Sequence, residues 1–139
     1  MSLELKHHHG GISVPDLEAS IRWFADVLEF EVENRFEIAA IPAKVAMLRR
    51  GELRVELFEV LGASDLPEER RQPNTDVRTH GNKHLAFAIK DADAAAEVLK
   101  ARGADVVFVG HFEFGANVFI RDNAGNLIEF VQQPEMWES

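Results

Sequence analysis

Two short stretches of the chain carry the same pattern of apolar and polar positions. From His9 to Val14, and again from His84 to Ile89, a His opens a run of small and apolar residues. Side chains alternate across a strand, so His9, Gly11 and Ser13 share one face and Gly10, Ile12 and Val14 the other. In the second run His84, Ala86 and Ala88 share a face, opposite the apolar Leu85, Phe87 and Ile89. An Asp follows each predicted strand, at Asp16 and Asp91, suited to capping a helix. Leu17, Ile21, Phe24 and Leu28 then recur at helical spacing and predict an amphipathic helix over 17–28. Ala92 to Arg102 predicts a second helix, which Gly103 ends as a C-cap.

Three strands are expected after each helix. In the first half they are Phe30 to Glu33, Lys44 to Arg49 and Leu53 to Val60, with a weaker strand pattern from Ile38 to Lys44 that Pro42 bends. In the second half they are Asp105 to Val109, Asn117 to Arg121 and Leu127 to Gln132, with a hairpin-turn signal at Asp122-Asn-Ala-Gly-Asn126. The order strand, helix, three strands thus occurs twice. The two His residues lie 75 positions apart (84 − 9) and two Glu residues, Glu56 and Glu129, lie 73 apart (129 − 56). An offset held nearly constant across a whole half points to internal duplication. The stretch 62–82, rich in Pro, Asn and charge, reads as a loop between the halves. The expected organisation is one α+β domain over 1–139, with a first module at 6–61, a loop at 62–82 and a second module at 83–133.

Length and composition narrow the classes. The 139 residues suit one ordinary domain, and 46% hydrophobic residues suffice for a core. A formal charge of −9, from 24 acidic and 15 basic residues, repels phosphate backbones and anionic membranes. Neither a membrane-length apolar run nor, over Met1 to Lys6, the apolar segment of a secretory signal is present. A cytoplasmic protein that binds a small molecule, with no nucleic-acid or membrane partner, is expected. The absence of Cys excludes disulfides and thiolate metal sites, so any metal must be held by His and carboxylates.

The two Glu residues carry the strongest chemical signal. Glu56 interrupts the apolar run Val55 to Phe58, and Glu129 interrupts Leu127 to Val131. A carboxylate in an apolar strand is costly to bury unless it is paired or bound to a metal. A single strand His is usually just a hydrogen-bonded residue, and a single strand Glu usually faces water. Two of each at duplicated positions make a metal site a serious alternative. Two imidazoles and two carboxylates suit Zn, Ni, Co, Mn or Fe(II). His7 shares the strand face of His9 and is an alternative ligand, but only His9 keeps the repeat offset with His84. His80 lies in the loop. His111, in Gly110-His-Phe-Glu-Phe-Gly115, is a candidate for a pocket lining or an acid. Trp23 and Phe24 read as core, and Gly-rich phosphate loops and nucleophile elbows are absent.

These motifs resemble a known family. His9-Gly-Gly-Ile-Ser-Val-Pro-Asp16 with Trp23-Phe24-Ala-Asp-Val-Leu28, its echo His84-Leu-Ala-Phe-Ala-Ile-Lys-Asp91, and the closing Arg121-Asp-Asn-Ala-Gly-Asn-Leu-Ile-Glu129 resemble the vicinal oxygen chelate superfamily of glyoxalases, bleomycin-resistance proteins and dioxygenases. The resemblance implies two βαβββ modules forming curved mixed sheets around a metal cleft. It implies one divalent metal, Zn, Ni or Co first and Fe or Mn next, held by His9, Glu56, His84 and Glu129, and a homodimer. It further implies a lyase or isomerase that moves a proton beside a metal-bound carbonyl through an enediolate, as in lactoylglutathione lyase, with Glu56 or Glu129 as the catalytic base. Ser13 and Val60 stand where glutathione-dependent members usually carry Arg and Asn. Alternatives are a methylmalonyl-CoA epimerase-like enzyme, an extradiol dioxygenase with Fe(II) on His9, His84 and Glu129, and a drug-binding resistance protein on the same fold.

Overall fold

The structure is a computed structural model and describes residues 1–138. The chain divides into two compact units, Met1–Ala63 and Ser64–Ser139. In the first unit β1 (Gly10–Ser13) leads into α1 (Leu17–Leu28), β2 (Glu31–Ile38), β3 (Ala43–Arg50) and β4 (Leu53–Val60). In the second, a 3-10 turn (Glu68–Arg71) and the one-turn α2 (Pro73–Asp76) precede β5 (Leu85–Ile89), α3 (Ala92–Ala101), β6 (Asp105–Phe112), β7 (Gly115–Arg121) and β8 (Leu127–Gln132). A 3-10 turn at Pro134–Trp137 follows. Each unit contains a βαβββ module, and the fold class is α+β. No helix among the described residues is long and apolar enough to cross a membrane.

The two sheets have matching topology. The strand order is β1-β4-β3-β2 in one and β5-β8-β7-β6 in the other. The first and last strands of each module, β1 with β4 and β5 with β8, pair in parallel, and all other pairs are antiparallel. The helix between the first two strands is what carries the chain to the far edge of the sheet, since parallel neighbours need a crossover.

Alternation along the inner strands decides where the cores lie. Val55 and Leu57 are fully buried, as are Val118, Ile120 and Ile128. Against the first sheet α1 packs Leu17, Phe24, Val27 and Leu28; against the second, α3 packs Ala92, Ala96 and Leu99. Phe24 meets Phe30 edge to face, with ring centroids 5.7 Å apart. Asp16 and Asp91 cap the helices as expected, accepting from Ala19 N at 3.1 Å and Ala94 N at 2.9 Å. A second tie is duplicated too. The first-turn N–H of Leu17 donates to Glu59 Oε1 at 2.9 Å, and that of Ala92 donates to Gln132 Oε1 at 2.8 Å. These donors have no partner inside a helix, so side chains of β4 and β8 lock each helix start to its sheet.

Several expected boundaries change. The strand pattern from Ile38 to Lys44 is instead a hairpin turn at residues 39–42, with Pro42 in the turn, where its missing N–H costs no ladder bond. β2 extends from Glu31 to Ile38 and β6 to Phe112, longer than predicted. Both are edge strands with an irregular register, at Val32/Asn34 and Val106/Phe108, and an irregular register breaks the apolar alternation that predicts strands. The loop at 62–82 is not structureless. Its Asp76 is buried and takes Arg70 Nε at 3.0 Å and Lys83 Nζ at 3.5 Å.

The hairpin between β7 and β8 has a buried anchor. Asp122 accepts from the backbone N–H of Ala124 at 2.9 Å and Asn126 at 2.8 Å, and from the Asn126 amide. Burial pushes its carboxyl above its ordinary pKa, opposed by these donors. Replacing it orphans buried N–H groups, so Asp122→Ala should lower the unfolding free energy by about 1–3 kcal/mol in urea denaturation. An unchanged midpoint would show that the turn needs no such anchor.

Candidate functional site

The parallel strand pairs place a His beside a Glu in each unit. In the first, Gly11 is opposite Glu56; in the second, Ala86 is opposite Glu129. His9 and His84 each lie two positions before that small residue, on the same face of the strand line. Both sit one residue ahead of the first ladder position rather than within the strand. Neither Gly11 nor Ala86 covers the carboxylate beside it, and both are exposed. Glu56 and Glu129 belong to β4 and β8, which are inner strands, so neither is an edge residue simply facing water. Their neighbours Val55, Leu57, Ile128 and Phe130 turn into the cores, leaving the carboxylates on the opposite faces.

The resulting separations are nearly the same twice, though only the second pair also has the alignment of a hydrogen bond. His9 Nε2 lies 3.2 Å from Glu56 Oε1, and His84 Nε2 lies 3.0 Å from Glu129 Oε1. Glu56, His84 and Glu129 are partly buried, with side-chain exposures between 15% and 20%, while His9 is more open at 33%. Second contacts differ. His9 Nδ1 meets His8 Nδ1 at 2.6 Å, whereas His84 Nδ1 is buried with no partner. The His84 ring is steadied instead by Phe119, edge to face at 4.9 Å. Among the described residues, no group of three or more His, Cys, Asp or Glu gathers to hold a metal ion; each unit offers one His and one Glu.

Each pair fits the edge of a metal coordination shell. Two ligands at right angles around a metal, each about 2.1 Å from it, stand about 3.0 Å apart. Imidazole nitrogen and carboxylate oxygen are also the donors that first-row divalent metals accept.

The other sequence candidates lie elsewhere. His7 and His80 are exposed. His111 is exposed in β6 and pairs with Asp93 of α3 at 3.1 Å. One residue that the motifs did not single out is Asn117, whose Nδ2 donates to Glu129 Oε2 at 3.0 Å. Its signal was the break it makes in the apolar strand Ala116 to Ile120.

Comparison with known proteins agrees with this architecture. Residues 6–130 match the model of the Glyoxalase/Bleomycin resistance protein/Dioxygenase superfamily. The chain is 34% identical over 112 residues to a 2-epi-5-epi-valiolone epimerase from Actinomyces sp; the match takes in 68% of this chain and 57% of that protein, so the chain spans little more than half the length of that relative. A glyoxalase family protein from Enterococcus faecalis superposes with a TM-score of 0.76 at 20% identity, covering 91% of this chain and 96% of that one. A mutant fosfomycin resistance protein from Listeria monocytogenes, solved with manganese(II) and 1S,2S-dihydroxypropylphosphonic acid, superposes with a TM-score of 0.65 at 17% identity, covering 96% and 94%. With a family match over nearly its whole length and the duplicated βαβββ fold, the chain belongs to the Glyoxalase/Bleomycin resistance protein/Dioxygenase superfamily.

Proposed function

We propose that the two His–Glu pairs together supply the four ligands of one divalent metal, and that the protein is an isomerase of epimerase type acting on a small carbonyl compound. The observation that carries this reading is the duplicated pair itself: His9 with Glu56 and His84 with Glu129, at 3.2 and 3.0 Å on equivalent parallel strands. Support for the metal comes from the family, whose members generally bind a divalent ion, and from the manganese(II) held by the fosfomycin resistance protein of the same fold. Support for epimerase chemistry comes from the name of the 34% identical relative. Ser13 and Val60 speak against a glutathione-linked lyase.

The chemistry follows from the residue types. A bound divalent cation would act as a Lewis acid toward the substrate carbonyl and so acidify the neighbouring C–H. One of the carboxylates would accept that proton from one face of the carbon and release it to solvent, and a protonated acid on the opposite face, the other carboxylate, would deliver a proton there, which inverts the centre. Glu56 and Glu129 are the two carboxylates in position. The small residues Ser13, Gly11, Ala86 and Ala88 leave open strand faces beside the imidazoles for a small ligand. One domain built from both modules, working as a homodimer, completes the proposal.

Three measurements check it. The His9→Ala, His84→Ala double variant should lose bound zinc or cobalt by plasma mass spectrometry, while wild-type protein retains it; equal metal in both would exclude the pairs as ligands. Incubated in D2O with the valiolone compound named for its relative, the wild type should exchange the hydrogen beside the carbonyl for deuterium, and Glu56→Gln or Glu129→Gln should slow this at least about 100-fold, the scale of a lost acid–base group. Exchange at the wild-type rate in both variants would sink the proton-transfer role. As a control, His111→Ala removes only an exposed pair and should shift stability by less than about 1 kcal/mol with metal uptake intact; lost uptake would move His111 into the site.

A further inference from the structure

We infer that Asn117 is a positioning residue for Glu129, fixing its carboxylate so that one of the two site glutamates is held firmly and the other is not. The inference rests on the metal reading proposed above.

Glu129 is gripped at both oxygens. Oε1 faces His84 Nε2 at 3.0 Å, and Oε2 accepts from Asn117 Nδ2 at 3.0 Å. The orientation of the amide follows from the carboxylate, which can only accept, so the NH2 group must face it. Glu56 has no such second grip; among the described residues its partner is His9 alone. The difference is written into the register. Phe119 is opposite Glu129 and Met47 is opposite Glu56, so the position two residues earlier is Asn117 in β7 and Val45 in β3. Val45 is almost fully buried and makes an ordinary core contact.

Asn117 is only partly buried, but it carries a polar atom that is costly in place, which argues that it serves Glu129. Its Oδ1 is buried with no hydrogen-bond partner. An unpaired buried acceptor lowers stability, and an apolar side chain like that of Val45 would avoid the loss. Space for the amide is also reserved. Gly110 is opposite Asn117, and a Cβ at Gly110 would stand 2.6 Å from Asn117 Oδ1 and 2.5 Å from the Phe112 ring. A side chain at residue 110 would have to displace the amide together with the Phe112 and Phe108 rings. A hydrogen bond that orients a ligating carboxylate typically changes metal affinity by about 10–100-fold when removed.

The test uses cobalt(II) titrated into the metal-free full chain, read by its visible absorption, with circular dichroism to confirm folding. Asn117→Val, which imports the residue of the other module, should weaken cobalt binding about tenfold or more and alter the visible bands. In a Glu129→Gln background the same change should cost little more. Unchanged affinity and bands in folded Asn117→Val would overturn the inference, as would an equal loss in both backgrounds, which marks a merely structural role. In the metal-free protein, the Asn117 side-chain NH2 signal in nitrogen-edited NMR should lose exchange protection in Glu129→Ala; an unaltered signal overturns the contact itself. A wild-type chain that takes up no cobalt while that NMR contact persists would overturn the metal reading, and with it the ligand-positioning role.

Discussion

The site depends on one constraint: the first and last strands of each module pair in parallel. That pairing brings a strand from the start of the module next to one from its end, with Gly11 opposite Glu56 and Ala86 opposite Glu129. A His two residues before each small residue then reaches the carboxylate. Parallel pairing requires a crossover, and α1 and α3 provide it. The helices are fixed in turn by β4 and β8, whose Glu59 and Gln132 hold the first-turn N–H groups of Leu17 and Ala92. The same two strands therefore carry the candidate ligands and anchor the crossovers that place the His strands beside them.

Much of this was legible because local and global signals agreed. The Asp caps, the helix periodicity and the alternation on inner strands all mark positions where one face meets a core and the other does not. The signal failed on the edge strands. β2 is exposed along nearly all of its length, so it has no apolar alternation to detect, and its far end merged in the sequence with the turn at Pro42. The stretch at 62–82 looked like a loop from its composition, yet a single buried carboxylate, Asp76, organises two short helical turns around Arg70 and Lys83. Burial of one charged residue in a polar segment leaves no periodic trace.

At the site, the offset of the His and Glu residues between the halves marks both pairs in the sequence itself. It drifts from 75 to 73 because the connections differ in length, most at the turn between β2 and β3, which has four residues, 39–42, where that between β6 and β7 has two, 113–114. Repetition could not reveal what the two halves do not share. Asn117 has Val45 as its counterpart, so a search for duplicated chemistry passes over it, and only its contact with Glu129 shows its purpose. The duplicated pairs are thus alike in their residues and unlike in how those residues are supported.

The central claim is that the two pairs serve one ion rather than two. X-ray absorption spectroscopy of the zinc-loaded protein tests this most directly, because multiple scattering counts imidazoles per metal. Two imidazoles per zinc, with one zinc per chain, is the expected result. One imidazole per zinc, with two zinc ions per chain, would contradict it and make each His–Glu pair a separate site.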